Sequence, residues 1–184
     1  PGLLARVKKG GAKQGCTLFA STFAATQILF SRLSDAENVV LGVPYAAQQD
    51  LAQSDMMGHC VQFLPIQAPI ADGASVAEHM AHARDKVMTA FDNAGTTFGA
   101  SVQALKPKGE QGRVPLTEIE FNLETRASSY ALPGLTAEFR GNPKKCVNFD
   151  VFFNLVETPD GLLLETHYNA DLFDAETVQG WVTA

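Results

Sequence analysis

The sequence is poor in the residues that build disulfide frameworks and metal sites. It holds three cysteines and four histidines among 184 residues. Cys16, Cys60 and Cys146 form no Cys-x-x-Cys pair and are odd in number, so they predict neither a disulfide framework nor a zinc site. Unpaired thiols fit a reducing compartment. We therefore expect a cytoplasmic protein whose three cysteines are small buried residues.

Positive charge is also scarce. The chain has 14 lysine and arginine residues against 20 aspartate and glutamate residues, which gives a net charge of −6 at pH 7. A chain of this sign is repelled by phosphate backbones and anionic lipids, which argues against nucleic acid or a membrane surface as partner. The most apolar segment, Cys16–Phe30, is interrupted by Thr, Ser and Gln and is too short to span a bilayer.

Apolar residues, by contrast, make up 46% of the chain, which is typical of a globular protein with a large core. The length and the lack of internal repeats predict a single domain over residues 1–184. Gly15-Cys-Thr17 predicts the start of a helix that runs to about Leu33 and is buried on most sides. Ser75–Glu78 reads as a capping box that starts a second helix. Further helices are predicted at Phe98–Leu105 and after the N-cap candidate Asp174.

The rest of the pattern indicates strands, most of them in the second half of the chain. Pro159-Asp-Gly161 is a turn signal that predicts an antiparallel hairpin between the strands on either side of it. Helices that alternate with or precede such strands, with shared apolar faces, predict an α/β sandwich around a mixed sheet. The predicted strands are Val39–Val43, Val61–Ile70, Leu116–Leu123, Leu135–Phe139, Val147–Val156 and Leu162–Tyr168.

The adjacent pair His59–Cys60 is the first candidate for chemistry. Neighbouring residues entering a strand point to opposite faces, so they cannot easily hydrogen-bond as a nucleophile and its base. We therefore expect Cys60 to pack inward and His59 to face a cleft or solvent. His79 and His82 are predicted on an exposed helix face, and His167 is predicted on the solvent side of its strand.

No other pattern supplies a reaction. The sequence holds no glycine-rich phosphate loop, no Gly-x-Ser-x-Gly elbow and no His-Glu-x-x-His helix. Asn148, Asp150 and Asn154 form a polar stripe that is read as hydrated or bonded to a neighbouring loop. The residues alone thus predict no catalytic residue, no metal site and no self-sufficient active site.

Five motifs follow one another along the chain and read GCTLFASTFAATQILFSRLSDAENVVLGVPYAAQ, MGHCVQFLPIQ, FDNAGTTFGASVQAL, GRVPLTEIEFN and NFDVFFNLVETPDGLLLETHYNADLFDAETV. In this order they resemble the C-terminal lobe of condensation domains of nonribosomal peptide synthetases. The likeness runs from about Gly15 to Trp181, and each motif is weak alone, whereas five in the family's order are specific.

The resemblance implies a lobe with a chloramphenicol acetyltransferase-like fold. In the family two such lobes enclose a tunnel, where an acceptor amine attacks a donor thioester and forms an amide. Both substrates are carried on the phosphopantetheine of carrier domains, so the resemblance implies no directly bound cofactor. The family's HHxxxDG motif lies in the N-terminal lobe and does not occur here. Together with the Pro-Gly start, this predicts half of a condensation domain, inactive alone.

The resemblance also implies roles for particular residues. Tyr45, Gln48, His59 and Gln62 are expected along the substrate tunnel, with its floor segment near residues 45–57. The latch that reaches the N-terminal lobe is expected within residues 126–145, where Leu135 and Phe139 would contact that lobe. The implied partners are the N-terminal lobe and carrier domains. An isolated lobe would leave the latch unpaired, which favours self-association.

Several positions depart from the family's common pattern. Gln48 and Gln67 stand where Arg is commoner, Gln62 where Asn is usual, Phe63 where a small residue is common, and Thr97 where Pro precedes Phe98. Gln62 either preserves a hydrogen bond to a thioester carbonyl or pantetheine arm, or only ties strand to loop. The departures leave two alternatives open: a noncatalytic lobe that docks carriers, and an epimerization or ester-forming relative.

Overall fold

The computed structural model describes residues 2–48, 55–108, 112–126, 132–137 and 145–183. Within these ranges the chain forms five helices and five strands. The helices are α1 (Gly2–Lys13), α2 (Leu18–Ser34), α3 (Val76–Asp92), α4 (Phe98–Leu105) and α5 (Ala175–Thr183). The strands are β1 (Val40–Ala46), β2 (Val61–Gln67), β3 (Ile119–Thr125), β4 (Val151–Thr158) and β5 (Gly161–Tyr168).

The five strands form one mixed sheet in the order β2-β1-β3-β4-β5. β1 pairs antiparallel with β2, and β4 pairs antiparallel with β5, whereas β3 runs parallel to both of its neighbours. The predicted α/β architecture with a mixed sheet is confirmed, and so is the hairpin around Pro159–Gly161. β2 and β5 are the edge strands.

α2 is the central helix of the layer that packs on the sheet. Thr17 caps it, with its hydroxyl accepting a hydrogen bond from the Ala20 amide. Hydroxyl groups inside the helix donate to carbonyls one turn earlier, so Ser21, Thr22 and Thr26 are buried without leaving a hydroxyl unsatisfied. The predicted burial on most sides is confirmed, and Leu33 near the helix end is exposed.

One face of the sheet and the helices α2 and α3 enclose the core. Phe121 of β3 is fully buried, and its ring meets Phe19 and Phe23 of α2 edge-on, with centroids 5.4 and 5.6 Å apart. On β1 and β4 the buried side chains Leu41, Val43, Val151 and Phe153 line the same face. Because cross-strand partners share a face, this register defines which residues point toward the helices.

Strand boundaries in the second half differ from the prediction. β3 begins at Ile119 and β4 at Val151, later than expected. The carbonyl of Glu118 accepts from the amides of Asp150 and Val151, so pairing of the two parallel strands starts there. Phe149 precedes the strand, and its ring stacks on Phe63 with centroids 4.9 Å apart instead of joining Val151 on the core face.

The cysteines are buried to different degrees. Cys16 is buried, Cys60 is half-buried and Cys146 is exposed. The prediction of three buried thiols is therefore wrong for Cys146, which lies in the loop ahead of β4 and outside the core. Among the described residues, no helix is long and apolar enough to cross a membrane.

Gly42 in β1 makes room for an aromatic side chain. A Cβ atom added there would collide with the ring of Phe63, whose backbone lies on the neighbouring strand. We expect Gly42→Ala to lower the free energy of unfolding by about 1–3 kcal/mol, because a close-packed contact is overfilled. The measurement is a double-mutant cycle by urea unfolding. The Gly42→Ala cost should shrink in a Phe63→Ala background, and strict additivity of the two changes would contradict this packing.

Candidate functional site

The loop end of the β1–β2 hairpin holds two of the predicted tunnel residues. Tyr45 and Gln62 are directly opposite each other in the antiparallel register, so their side chains lie on the same face. Tyr45 packs against the core, which identifies this face as the one covered by α2 and α3. Both residues are half-buried.

Burial falls along this face toward the end of the hairpin. The pair Leu41–Ile66 is 0% and 2% exposed, and the pair Val43–Leu64 is 1% and 6% exposed. The next pair, Tyr45–Gln62, is only half-buried because the helical layer no longer covers it completely. The site is therefore the rim where the core face opens.

The other two predicted tunnel residues lie beyond this rim. Gln48 is half-buried in the turn after β1, and His59 is exposed just before β2. Cys60 is half-buried, and its carbonyl accepts a hydrogen bond of 3.1 Å from the Ala47 amide, which extends the hairpin ladder. In the described part of the chain no hydrogen bond joins the side chains of His59 and Cys60. His59 faces solvent, and Cys60 is only partly packed inward.

The opposite face of the hairpin, called the second face below, carries apolar side chains. Phe63 covers Gly42 and meets Phe98 of α4 edge-on, with ring centroids 5.3 Å apart. Val61 lies on the same face and is 47% exposed. On the far edge strand, Leu163 is also exposed and is paired with Val156. The second face therefore leaves apolar surface open to solvent at both edges of the sheet.

A polar network occupies the middle of the second face. Its members are Asn122, Glu124, Arg126, Asn154 and Glu165. The Asn122 amide donates to Asn154 Oδ1 at 2.9 Å, and Asn154 Nδ2 donates to Glu165 at 3.2 Å. Arg126 binds both carboxylates, at 2.8 Å to Glu124 and 3.0 Å to Glu165. The hydrogen bond from Arg126 holds the pKa of Glu165 below its usual range.

The sequence indicates only part of this network. It placed Asn154 on a polar stripe together with Asn148 and Asp150, but Asp150 forms an ion pair with Arg113 ahead of the strand. The missing members come from β3, from Arg126 just after it, and from β5, and Asn122 and Glu165 are the register partners of Asn154. The signal available in the sequence was the alternation of Glu120, Asn122 and Glu124 with apolar residues along β3.

His79 lies in the wall of a separate cavity of about 450 Å³ at the start of α3. It is 3% exposed, whereas His82 is exposed, so the predicted exposed face is wrong for His79. The reason is helical spacing, since His79 precedes buried Ala83 by four residues and buried Val87 by eight. Burial lowers the pKa of His79, the charge of His82 adds to the effect, and the backbone of Ala24 opposes it.

This burial predicts a pH dependence of stability. The unfolded chain binds a proton at His79 near its ordinary pKa, while the folded chain keeps the ring neutral to lower pH. The contribution of His79 to the free energy of unfolding is therefore complete above that ordinary pKa of about 6.5. It is lost as the pH drops below that value. Between about pH 7 and pH 5 the midpoint of thermal unfolding should fall less for His79→Leu than for wild type, while His82→Gln should keep most of the wild-type slope because burial is the larger cause. A loss equally large in His79→Leu would contradict this assignment.

The remaining predicted residues are not gathered at the rim. Leu135 is 71% exposed, and its amide donates 3.1 Å to the carbonyl of Leu132 in an isolated bridge, not in a strand. Phe139 lies outside the described residues. His167, expected in solvent, is half-buried with its ring edge-on to Phe152. No cluster of three or more metal-binding side chains occurs among the described residues.

A family model described as "Condensation domain" matches residues 2–184. The chain belongs to the condensation-domain family. Its match spans all five helices and all five strands, so the rim, the second face and the His79 cavity are all parts of a condensation-domain fold. The predicted resemblance is thereby confirmed.

Known relatives and solved structures agree with this family. Tyrocidine synthase 3 of Brevibacillus parabrevis is 26% identical over 96% of the chain, which spans about 3% of that protein. The four-domain nonribosomal peptide synthetase AB3403 has a TM-score of 0.88 and 17% identity, with 98% of this chain and 15% of that chain covered. The X-domain in complex with OxyB from teicoplanin biosynthesis has a TM-score of 0.86 and 22% identity, with 99% of this chain and 41% of that chain covered. The chain thus spans well under half of each.

Proposed function

We propose that this chain is the C-terminal lobe of a condensation domain in a nonribosomal peptide synthetase. The observation that carries the proposal is the condensation-domain match over residues 2–184. The full domain forms an amide between a donor acyl or peptidyl thioester and the amine of an acceptor aminoacyl thioester. This lobe supplies one wall, the floor and the latch of the tunnel, and the HHxxxDG histidine belongs to the other lobe.

The distribution of exposed apolar side chains supports a second lobe as partner. Met57 is 97% exposed, Val61 lies nearby on the second face, and Leu135 stands free of the core. A second lobe that packs on these residues would remove their apolar side chains from water. The isolated chain would instead self-associate through the same residues.

Within the tunnel, we assign Gln62 the role of a hydrogen-bond donor to the substrate. The side-chain amide donates to the thioester carbonyl or to the pantetheine arm, because it stands at the rim, where the helical cover ends. Carrier domains deliver both substrates, so their phosphopantetheine passes along this rim and no cofactor is held by the chain itself. Tyr45, Gln48 and His59 form the adjoining wall.

The test uses the intact synthetase that contains this chain, with donor and acceptor carriers loaded with aminoacyl groups. We expect a dipeptidyl thioester on the acceptor carrier, detected by mass spectrometry. We also expect the product to vanish when the second histidine of HHxxxDG is replaced with alanine. Carrier loading without any product in the wild-type enzyme would overturn the proposal.

A second candidate function is docking without catalysis. One fold neighbour is an X-domain in complex with OxyB, and the departures at Gln62, Phe63 and Gln67 also suit a lobe that has lost its chemistry. A parent sequence with a broken HHxxxDG motif, together with carrier binding that yields no amide, favours this candidate. An intact motif with product formation favours the first.

A further inference from the structure

We propose that Tyr45 sets the size of the acceptor side chain that this condensation domain uses. The inference rests on the proposed function and adds a specificity-determining residue to it. It begins from the register of the β1–β2 hairpin, which places Tyr45 directly opposite Gln62 on one face. A group that hydrogen-bonds Gln62 must therefore pass within reach of the Tyr45 ring.

The pair lies at the edge of the closed core. The two pairs deeper in the hairpin are closed by the core, whereas Tyr45 and Gln62 are half-buried at its rim. A substrate that reaches Gln62 thus meets solid protein on the inner side, and the first large side chain there is the phenol ring of Tyr45.

The ring is held in place by a chain of aromatic contacts. Tyr45 lies against Phe91 in the last turn of α3, with centroids 4.9 Å apart and planes tilted by 32°. Phe91 in turn contacts Phe19, with centroids 5.9 Å apart, and Phe19 meets buried Phe121. A ring fixed in this way acts as a wall of constant volume and does not swing aside to admit larger groups.

The volume of the Tyr45 ring limits the size of the acceptor side chain. Replacing it with a small side chain leaves a recess beside Gln62, backed by Phe91. When two substrates differ in size by a small group, a fitted pocket changes the ratio of their reaction rates by about ten- to two-hundredfold. The larger substrate either fits without strain or is excluded. Tyr45→Phe keeps the ring and should keep the limit.

The experiment uses the intact synthetase with acceptor carriers loaded with alanine or with tryptophan, and measures the ratio of the two rates of amide formation. We expect Tyr45→Ala to raise the relative rate with tryptophan about tenfold or more. Tyr45→Phe should leave the ratio within about twofold of wild type. Leu163→Ala, at an exposed position of the far edge strand β5, is the control and should not change the ratio.

The outcomes separate the two proposals. A folded Tyr45→Ala enzyme that makes amide with the wild-type ratio overturns the role of Tyr45 and leaves the proposed function intact. A wild-type enzyme that makes no amide from either acceptor overturns both. If Tyr45→Ala does not fold, Tyr45→Leu removes the ring with less loss of volume. A Tyr45→Leu rate ratio that shifts toward tryptophan then supports the role of Tyr45, and an unchanged ratio contradicts it.

Discussion

Phe121→Ala is expected to lower the free energy of unfolding by about 3–5 kcal/mol, the largest effect on stability that we predict. Phe121 is fully buried in the central strand, and its ring touches Phe19 and Phe23 of α2. Alanine removes the contact that joins the sheet to the central helix and leaves a cavity that rigid neighbours cannot fill. In a chain of this size the midpoint of thermal unfolding should fall by roughly 6–20 °C.

The control for this variant is Leu105→Ala at the end of α4. Leu105 is 67% exposed, so the same kind of truncation should change the midpoint by less than about 2 °C. Calorimetry or circular dichroism of the three proteins decides the matter. Equal falls in the midpoint of thermal unfolding for Phe121→Ala and Leu105→Ala would contradict the placement of Phe121 in the core.

Gln62→Ala is expected to give the largest effect on activity, a ten- to hundredfold slower amide formation in the intact synthetase. The side chain is half-buried at the rim and stands opposite Tyr45. Loss of one fixed donor to an oxygen that gains charge costs other enzymes roughly 10²–10³ in rate, and a flexible amide should contribute less. Because Gln62 is not part of the closed core, we expect a loss of stability below about 1 kcal/mol.

Two further variants identify the cause of the lost activity. Gln67→Ala changes the same residue type at the other end of β2, where the side chain is exposed, and should keep wild-type activity. Gln62→Asn keeps the amide group and should retain more activity than Gln62→Ala. Unchanged product release by a normally folded Gln62→Ala enzyme would instead assign Gln62 the structural role of tying strand to loop.

The elements that could be predicted are those whose signals are local. Thr17 and Ser75 sit at helix starts because each hydroxyl accepts from a backbone amide three residues later. Asp174 likewise accepts from the Thr177 amide at 2.7 Å. The turn at Pro159–Gly161 fixes the register of β4 and β5. In each case a few neighbouring residues determine the geometry, so the sequence is sufficient.

The features that were missed depend on contacts between distant segments. α1 carries Gly10 and Gly11, which lower its helical propensity, yet Gly11 is buried so closely against Ser21 that a Cβ atom would collide with it. An ion pair from Lys8 to Glu157 joins the same helix to β4. The polar network likewise requires the parallel pairing of β3 with β4, which no local pattern specifies.

The placement of Gln62 shows where local sequence patterns stop being informative. Alternation along β2 predicts that Gln62 and Phe63 point to opposite faces, but it does not say which face is covered by helices. The register with Tyr45 and the core answers that question. The expected tunnel residues separate into a rim pair, Tyr45 and Gln62, and the peripheral residues Gln48 and His59.

The central claim is that this chain is one of two lobes that must meet before amide formation occurs. The most direct measurement combines the isolated chain with a separately produced HHxxxDG-containing lobe and loaded carriers, and quantifies the dipeptidyl thioester by mass spectrometry. We expect no product above background from either lobe alone, and product from the mixture. Amide formation by this chain alone, or a stable complex of the two lobes that forms none, would contradict the claim.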